Sequence, residues 1–166
     1  MNTHQIEEIL STLMPNNFIG VFAQDKIPNI DASFHFPLSF VSNTHPSTKP
    51  GEHWVAFYYT SPDTLEFFDS YGLHPSIYGF IQSPSSINHT TLQSLDSNVC
   101  GQYCIYFLYH RSRGKTMSQI IGTFIKDQAW NDNSVARFVA KHFQSRRCRC
   151  SANCCQSCIK RKLCNK

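Results

Sequence analysis

Two runs of aromatic and β-branched residues, His53–Thr60 (HWVAFYYT) and Thr64–Tyr71 (TLEFFDSY), flank Ser61-Pro62-Asp63. No other stretch restricts the fold as tightly. Such residues favour extended backbone, and a Pro-Asp pair in a three-residue gap favours a reversal, so the segment predicts a β-hairpin. A turn centred near Pro62 sets His53 opposite Ser70, within a residue of Asp69. An imidazole and a carboxylate are then expected at the open end of the hairpin.

The rest of the chain reads around this hairpin. Ile6, Ile9, Leu10 and Leu13 recur at helical spacing, with Thr3 as a candidate N-cap and Pro15 as a stop. Phe18–Phe22 and Leu38–Ser42 read as short strands, and Leu73–Asn98 as mostly loop. From Cys100 to Gly114 the chain is mostly apolar and predicts a buried helix, begun by Asp96, Ser97 or Asn98 and closed by Arg111, Arg113 and Gly114. Met117, Ile120, Ile121 and Phe124 suggest a second helix. Val135, Phe138, Val139 and His142 suggest a third, capped by Asn133 or Ser134. Strands followed by helices predict an α+β fold, an antiparallel or mixed sheet packed against helices.

Of the 166 residues, 41% are apolar and 16% charged, which excludes a disordered chain. No apolar run reaches the roughly 20 residues of a membrane helix. The opening MNTHQIEEIL lacks the pattern of a secretory signal, so an intracellular protein is expected. The net charge of +4 is uneven: all eleven acids precede Asn133, whereas nine of the fifteen Lys and Arg follow Asp132. Such a basic tail suits phosphate or another acidic surface, and equally a solvated end that keeps the protein soluble.

Eight cysteines fall into two groups. Six, Cys148, Cys150, Cys154, Cys155, Cys158 and Cys164, lie in the tail, where zinc, disulfides, lipidation and a free basic Cys-rich end all remain open. The other two lie in LQSLDSNVCGQYC, Leu92–Cys104. A helix start stabilises a thiolate through its free N–H groups, so Cys100 reads as a nucleophile and Cys104, one turn on, as core. Gly101 permits a close approach. His53 is the candidate base, and Asp69 the acid that orients it. Gln93, with the Cys100 N–H, is the candidate donor pair for an oxyanion. Trp54 and neighbouring aromatics would wall a cleft.

GEHWVAFYY, then LEFFDSYG, then a Gln seven residues before Cys-Gly, together resemble the adenovirus-type cysteine protease family, adenain. NFIGVF and FVSNTHPSTKPGEHW resemble its N-terminal part, so the similarity spans roughly residues 5–112. The resemblance implies a thiol endopeptidase with His53 as base, Asp69 as orienting acid, Gln93 as oxyanion donor and Cys100 as nucleophile. The family commonly has Glu at the acid, so Asp69 departs from it. SUMO-specific proteases resemble the chain more distantly, sharing the His-Trp pair and the Asp. Their Gln usually stands six residues before the Cys, whereas here the offset is seven and Val99 precedes the Cys.

Residues 1–145 are expected to form the protease domain and 146–166 a basic Cys-rich tail, for which the family offers no counterpart; by the resemblance the substrates are polypeptides. Implied with it are cleavage of viral capsid or core precursors at Gly-containing sites during virion maturation, a monomer, location in the host nucleus and virion, and DNA as an activator. The chemistry requires no cofactor. The family's activating peptide is joined by disulfide to a Cys about eleven residues before the Gln. That position falls near Gln82, and no Cys lies between Asp69 and Gln93, so this mode of activation is not expected. A protease for a ubiquitin-like modifier, and an inactive protease-fold module binding DNA or zinc, are the alternatives.

Overall fold

The computed structural model describes residues 1–143. The tail cysteines, the proposed zinc ligands among them, lie outside the described residues. The hairpin forms as expected. Strands β3 (Trp54–Ser61) and β4 (Thr64–Phe68) pair antiparallel, with Ala56 opposite Phe68 and Tyr59 opposite Leu65. A register shift between Tyr59 and Ser61 moves the partnership by one residue. Continued outward, the Ala56–Phe68 register sets His53 level with Tyr71, where Ser70 was expected.

Three further strands complete a sheet in the order β1-β2-β3-β4-β5. Strand β2 (Leu38–Asn43) runs antiparallel to β3, whereas β1 (Phe18–Phe22) is parallel to β2 and the short β5 (Ser86–Ile87) is parallel to β4. The sheet is therefore mixed, and the fold is α+β. Strand β5 sits in the polar segment expected to be mostly loop.

Both faces of the sheet are covered, which explains why β2 and the middle of β3 are buried at consecutive rather than alternate positions. Val41, Ala56, Tyr58 and Phe68 face the helices. Phe40, Val55, Phe57, Leu65 and Phe67 face a second layer contributed by Ile27, Ile30, Phe34, Phe36 and Phe80. Phe40 and Phe57 stack at 4.6 Å on that side, and Phe68 stacks on Phe107 at 4.5 Å on the other.

Helix α1 (Thr3–Leu13) buries Ile6, Ile9 and Leu10. Its cap is Asn2 rather than Thr3: Asn2 and Gln5 form a reciprocal capping box. Helix α2 (Cys100–Arg111) crosses the centre of the sheet. Helix α3 (Met117–Ile121) is a short turn capped by Thr116. Helix α4 (Gln128–Phe143) starts five residues before the expected Asn133. Asp127 Oδ1 accepts the Trp130 N–H at 3.0 Å, which opens the helix there. Asn133 and Ser134 instead bond back to Ala129 and Trp130 carbonyls inside it. Among the described residues, no helix is long and apolar enough to cross a membrane.

Candidate active site

Cys100 is the first residue of α2, and none of Asp96, Ser97 or Asn98 caps the helix; the capping position is Val99, which offers no side-chain hydrogen bond. Ser97 is occupied elsewhere, its hydroxyl donating to the Ser94 carbonyl at 3.1 Å. The helix start thus keeps N–H groups available to an anion. Gly101 is favoured by packing: a Cβ there would lie 3.1 Å from Ile6 Cδ1 and 3.2 Å from Met1 Cβ. The close approach is that of α1, which presses on the turn carrying the thiol.

His53 immediately precedes β3, and its carbonyl accepts from Thr44 N–H at 2.9 Å, holding it to β2. Its ring is buried. Nε2 faces Asp69 Oδ1 at 2.6 Å, which leaves Nδ1 for the Cys100 thiol. Tyr71 stacks on the ring at 4.7 Å and 28°. The structure therefore brings together His53, Asp69 and Cys100, residues separated by up to 47 positions in the chain.

Asp69 is fully buried and held on every side. Oδ1 also accepts from the Tyr71 N–H at 3.0 Å, and Oδ2 accepts from the Leu73 N–H at 3.0 Å and the Tyr78 hydroxyl at 2.9 Å. Its backbone is clamped by one side chain: Asn88 Oδ1 accepts its N–H at 2.8 Å, and Asn88 Nδ2 donates to its carbonyl at 2.7 Å. Four donors on one carboxylate fix its direction. Tyr78 and Asn88 escape sequence reading because both stand in the polar segment 73–98, where a lone Asn carries no periodic signal. The one hint was an aromatic, Tyr78, just after Pro75.

The electrostatics follow from this arrangement. Burial opposes a charge on His53, but the hydrogen bonds to Asp69 and Cys100, with the charges of both, outweigh it and raise its pKa from 6.5 to about 9. Burial likewise opposes the Cys100 thiolate. The His53 hydrogen bond and charge, with backbone N–H bonds from Trp54 and Gly101, overcome that and hold the thiol below its ordinary value. Cys104 moves the opposite way: complete burial, then the charges of Cys100 and Asp69, push its thiol well up. Both thiols are free, and Cys104 sits in the core as expected.

Gln93 is also fully buried. Its Oε1 accepts the Ser70 hydroxyl at 2.7 Å, and its Nε2 donates to the Ser97 carbonyl at 2.8 Å, leaving one further amide hydrogen. Ser70 also binds the Leu92 and Gln93 N–H groups at its carbonyl, so the residue after Asp69 anchors the Gln93 turn. Ser97 and Asn98, rather than Gln93, line the groove beside Cys100.

That groove, of about 610 Å³, holds His53 and Cys100, with Tyr71, Tyr78 and the exposed apolar Leu73, Ile77 and Leu95 along it. A second depression of about 500 Å³ lies on the other side of Cys100, lined by Trp54, Asn43, Gly51 and Met1. The Trp54 indole N–H donates to the Met1 carbonyl at 3.2 Å, fixing the ring as a wall between strand and helix start. The loop between β2 and β3, through His45, Pro46, Lys49 and Glu52, borders both depressions. Among the described residues no group of side chains is arranged to hold a metal ion.

No family model matches the chain, and no curated protein matches it. Among solved structures it is similar to the ASFV pS273R protease, with a TM-score of 0.49 and 19% identity. The match covers 81% of this chain and 66% of that one, so the chain spans about two thirds of that protease's length. A likeness of this degree transfers no residue roles.

Proposed function

We propose that the protein is a thiol endopeptidase whose nucleophile is Cys100, with His53 and Asp69 completing a Cys-His-Asp triad. One observation carries this reading. The depressed Cys100 thiol meets an imidazole held at 2.6 Å by a buried, four-times hydrogen-bonded carboxylate, and all of this opens onto a groove. A merely structural His-Asp pair has no reason to meet a thiol at a helix start.

The steps follow from the residues. The raised imidazole and the lowered thiol both favour a thiolate–imidazolium pair. Cys100 Sγ adds to the peptide carbonyl carbon, forming a C–S bond while the carbonyl π electrons move to oxygen. The Cys100 N–H receives that oxyanion, with the remaining Gln93 amide hydrogen assigned as second donor although Gln93 itself lies behind the groove lining. His53 Nδ1 gives its proton to the departing amine as the C–N bond breaks, leaving a thioester. His53, now neutral, takes a proton from water; the hydroxide adds to the thioester, the C–S bond breaks, and the product carboxyl group leaves. The released thiolate and the imidazolium formed in this step restore the pair, and the carboxyl proton passes to solvent. Asp69 holds Nε2 protonated throughout, so that Nδ1 exchanges the proton.

The finer reading is a viral or virus-like enzyme, a monomer, that cuts capsid or core precursors at Gly-containing sites during virion maturation, in the host nucleus and virion. Support for it is the motif order from Gly51-Glu52-His53-Trp54 to Gln93 and Cys100-Gly101. DNA as an activator rests on the nine positive residues after Asp132. The test is cleavage of Gly-Gly-x peptides by purified protein, with and without DNA, beside Cys100→Ala and Cys100→Ser. Activity that survives both substitutions would sink the assignment of Cys100. Zinc in the tail is decided separately by metal analysis of the same protein.

A further inference from the structure

Near its start, helix α4 carries two consecutive buried polar residues, Asn131 and Asp132. Neither belongs to an apolar stripe, and neither faces the groove. Asp132 Oδ1 accepts the Tyr103 hydroxyl at 2.9 Å, and Oδ2 accepts the Ser94 N–H at 3.3 Å. Tyr103 lies on α2 one turn beyond Cys100, and its ring is fully buried. Ser94 immediately follows Gln93. One carboxylate therefore joins the helix that carries the nucleophile to the turn that carries the oxyanion donor.

The neighbouring carbonyl completes the junction. Leu92 O lies 2.9 Å from the Tyr103 hydroxyl and 3.2 Å from Asn131 Nδ2. A hydroxyl has one proton, so Tyr103 donates to the carboxylate while the Asn131 amide serves Leu92. Asn131 spends its remaining bonds on the Ile125 backbone, which locks α4 in place. The Gln93 turn is thus fastened at both ends, by Ser70 on the sheet side and by Asp132 and Tyr103 on the helix side. Buried polar networks are costly unless fully satisfied, and an apolar pair would fill this space at less risk. What the polar pair adds is direction: it sets where the turn stands relative to the start of α2.

We infer that Asp132 and Tyr103 are positioning residues for the oxyanion site, holding the Gln93 turn in register with the Cys100 backbone N–H. This rests on the endopeptidase reading above. The pair touches neither thiol nor imidazole, so its loss should leave the nucleophile's reactivity intact while the transition state loses an aligned donor.

The experiment uses the full chain, a fluorogenic peptide ending in Gly-Gly-aminomethylcoumarin, and iodoacetamide as a probe of Cys100. Tyr103→Phe removes only the hydroxyl; Asp132→Asn keeps the shape. Each is expected to lower kcat about ten- to a hundredfold with KM little changed, the scale of a misplaced donor. Alkylation of Cys100 should stay within about twofold of wild type, because thiolate reactivity does not use the oxyanion site. In a Gln93→Ala background, Tyr103→Phe should add almost nothing, since the effect passes through Gln93. If Asp132→Asn fails to fold, Tyr103→Phe decides alone. An unchanged kcat in Tyr103→Phe, full additivity with Gln93→Ala, or alkylation falling in step with kcat would each overturn the positioning role. A wild-type protein that is alkylated at Cys100 yet hydrolyses no peptide would overturn the endopeptidase reading, and this inference with it.

Discussion

Asp69→Asn isolates what the buried carboxylate contributes. His53 is raised from 6.5 to about 9, and at 1.36 kcal/mol per unit that lift corresponds to about 3 kcal/mol in favour of the imidazolium. Among the interactions that raise it, the Asp69 hydrogen bond comes first. Neutralising the residue should therefore shift the balance between ion pair and neutral pair by on the order of a hundredfold toward the neutral form. The signs follow directly. The imidazolium is lost as pH rises through its pKa, and without Asp69 that pKa falls. The thiolate is lost as pH falls through the thiol's pKa, and without a charged partner that pKa rises. The pH range in which the ion pair exists narrows from both sides.

Geometry adds to this. An Asn at 69 has one oxygen and one amide where Asp69 has two acceptors for four donors. With its amide toward Leu73, that backbone N–H loses its acceptor, costing about 1–3 kcal/mol. With its amide toward His53, the imidazole must accept at Nε2 and carry its proton on Nδ1, the wrong tautomer for a base facing the thiol. The assay is ultraviolet thiolate absorbance against pH, with Cys100→Ser as blank, alongside the iodoacetamide rate. An ionisation midpoint and alkylation rate equal to wild type would refute the reasoning, whatever happened to peptide cleavage.

Other expectations are simpler. The pH profile of kcat/KM should fall above about 9, where His53 loses the proton it gives to the leaving amine; a profile flat through that value would contradict its role. Cys104→Ala should keep kcat/KM within about twofold and lose roughly 1 kcal/mol of stability, read by denaturant titration, because it removes only a buried sulfur. Gly72→Ala should lower the melting temperature by several degrees, a cost of about 2 kcal/mol or more. Its φ is +72°, and a Cβ would sit 2.8 Å from the Thr90 carbonyl carbon, where only backbone could yield. An unchanged melting temperature would show that the turn after Asp69 relaxes freely.

The hairpin and α2 were legible because their signals are dense: aromatic and β-branched residues in one, a sustained apolar run in the other. The register at His53 was not: the Ser61–Thr64 pair alone would set it level with Gly72, and the irregularity between Tyr59 and Ser61, which composition does not encode, brings it to Tyr71. The start of α4 was missed for a related reason. Periodicity detects residues buried by the hydrophobic effect, whereas Asn131 and Asp132 are buried by hydrogen bonds and look like solvent-facing polar residues. The residues that shape the site were equally hidden. Tyr78, Asn88 and Ser70 act through hydrogen bonds to partners 9, 19 and 23 residues away, and nothing in their sequence neighbourhood marks the partner.

Cys100 and Cys104 show why the site itself could still be read. They are identical side chains one helical turn apart, and each is buried. Only Cys100 stands where the helix has N–H groups to spare, beside an imidazole that a carboxylate keeps charged. One turn further in, the same thiol meets a satisfied backbone and apolar neighbours, and the charges of Cys100 and Asp69 oppose its ionisation. Burial therefore does not distinguish a nucleophile from a core residue here; position relative to the helix end does. Helix ends are written in sequence by changes of composition, which is why the proposed nucleophile was visible and the hydrogen-bond network behind the Gln93 turn was not.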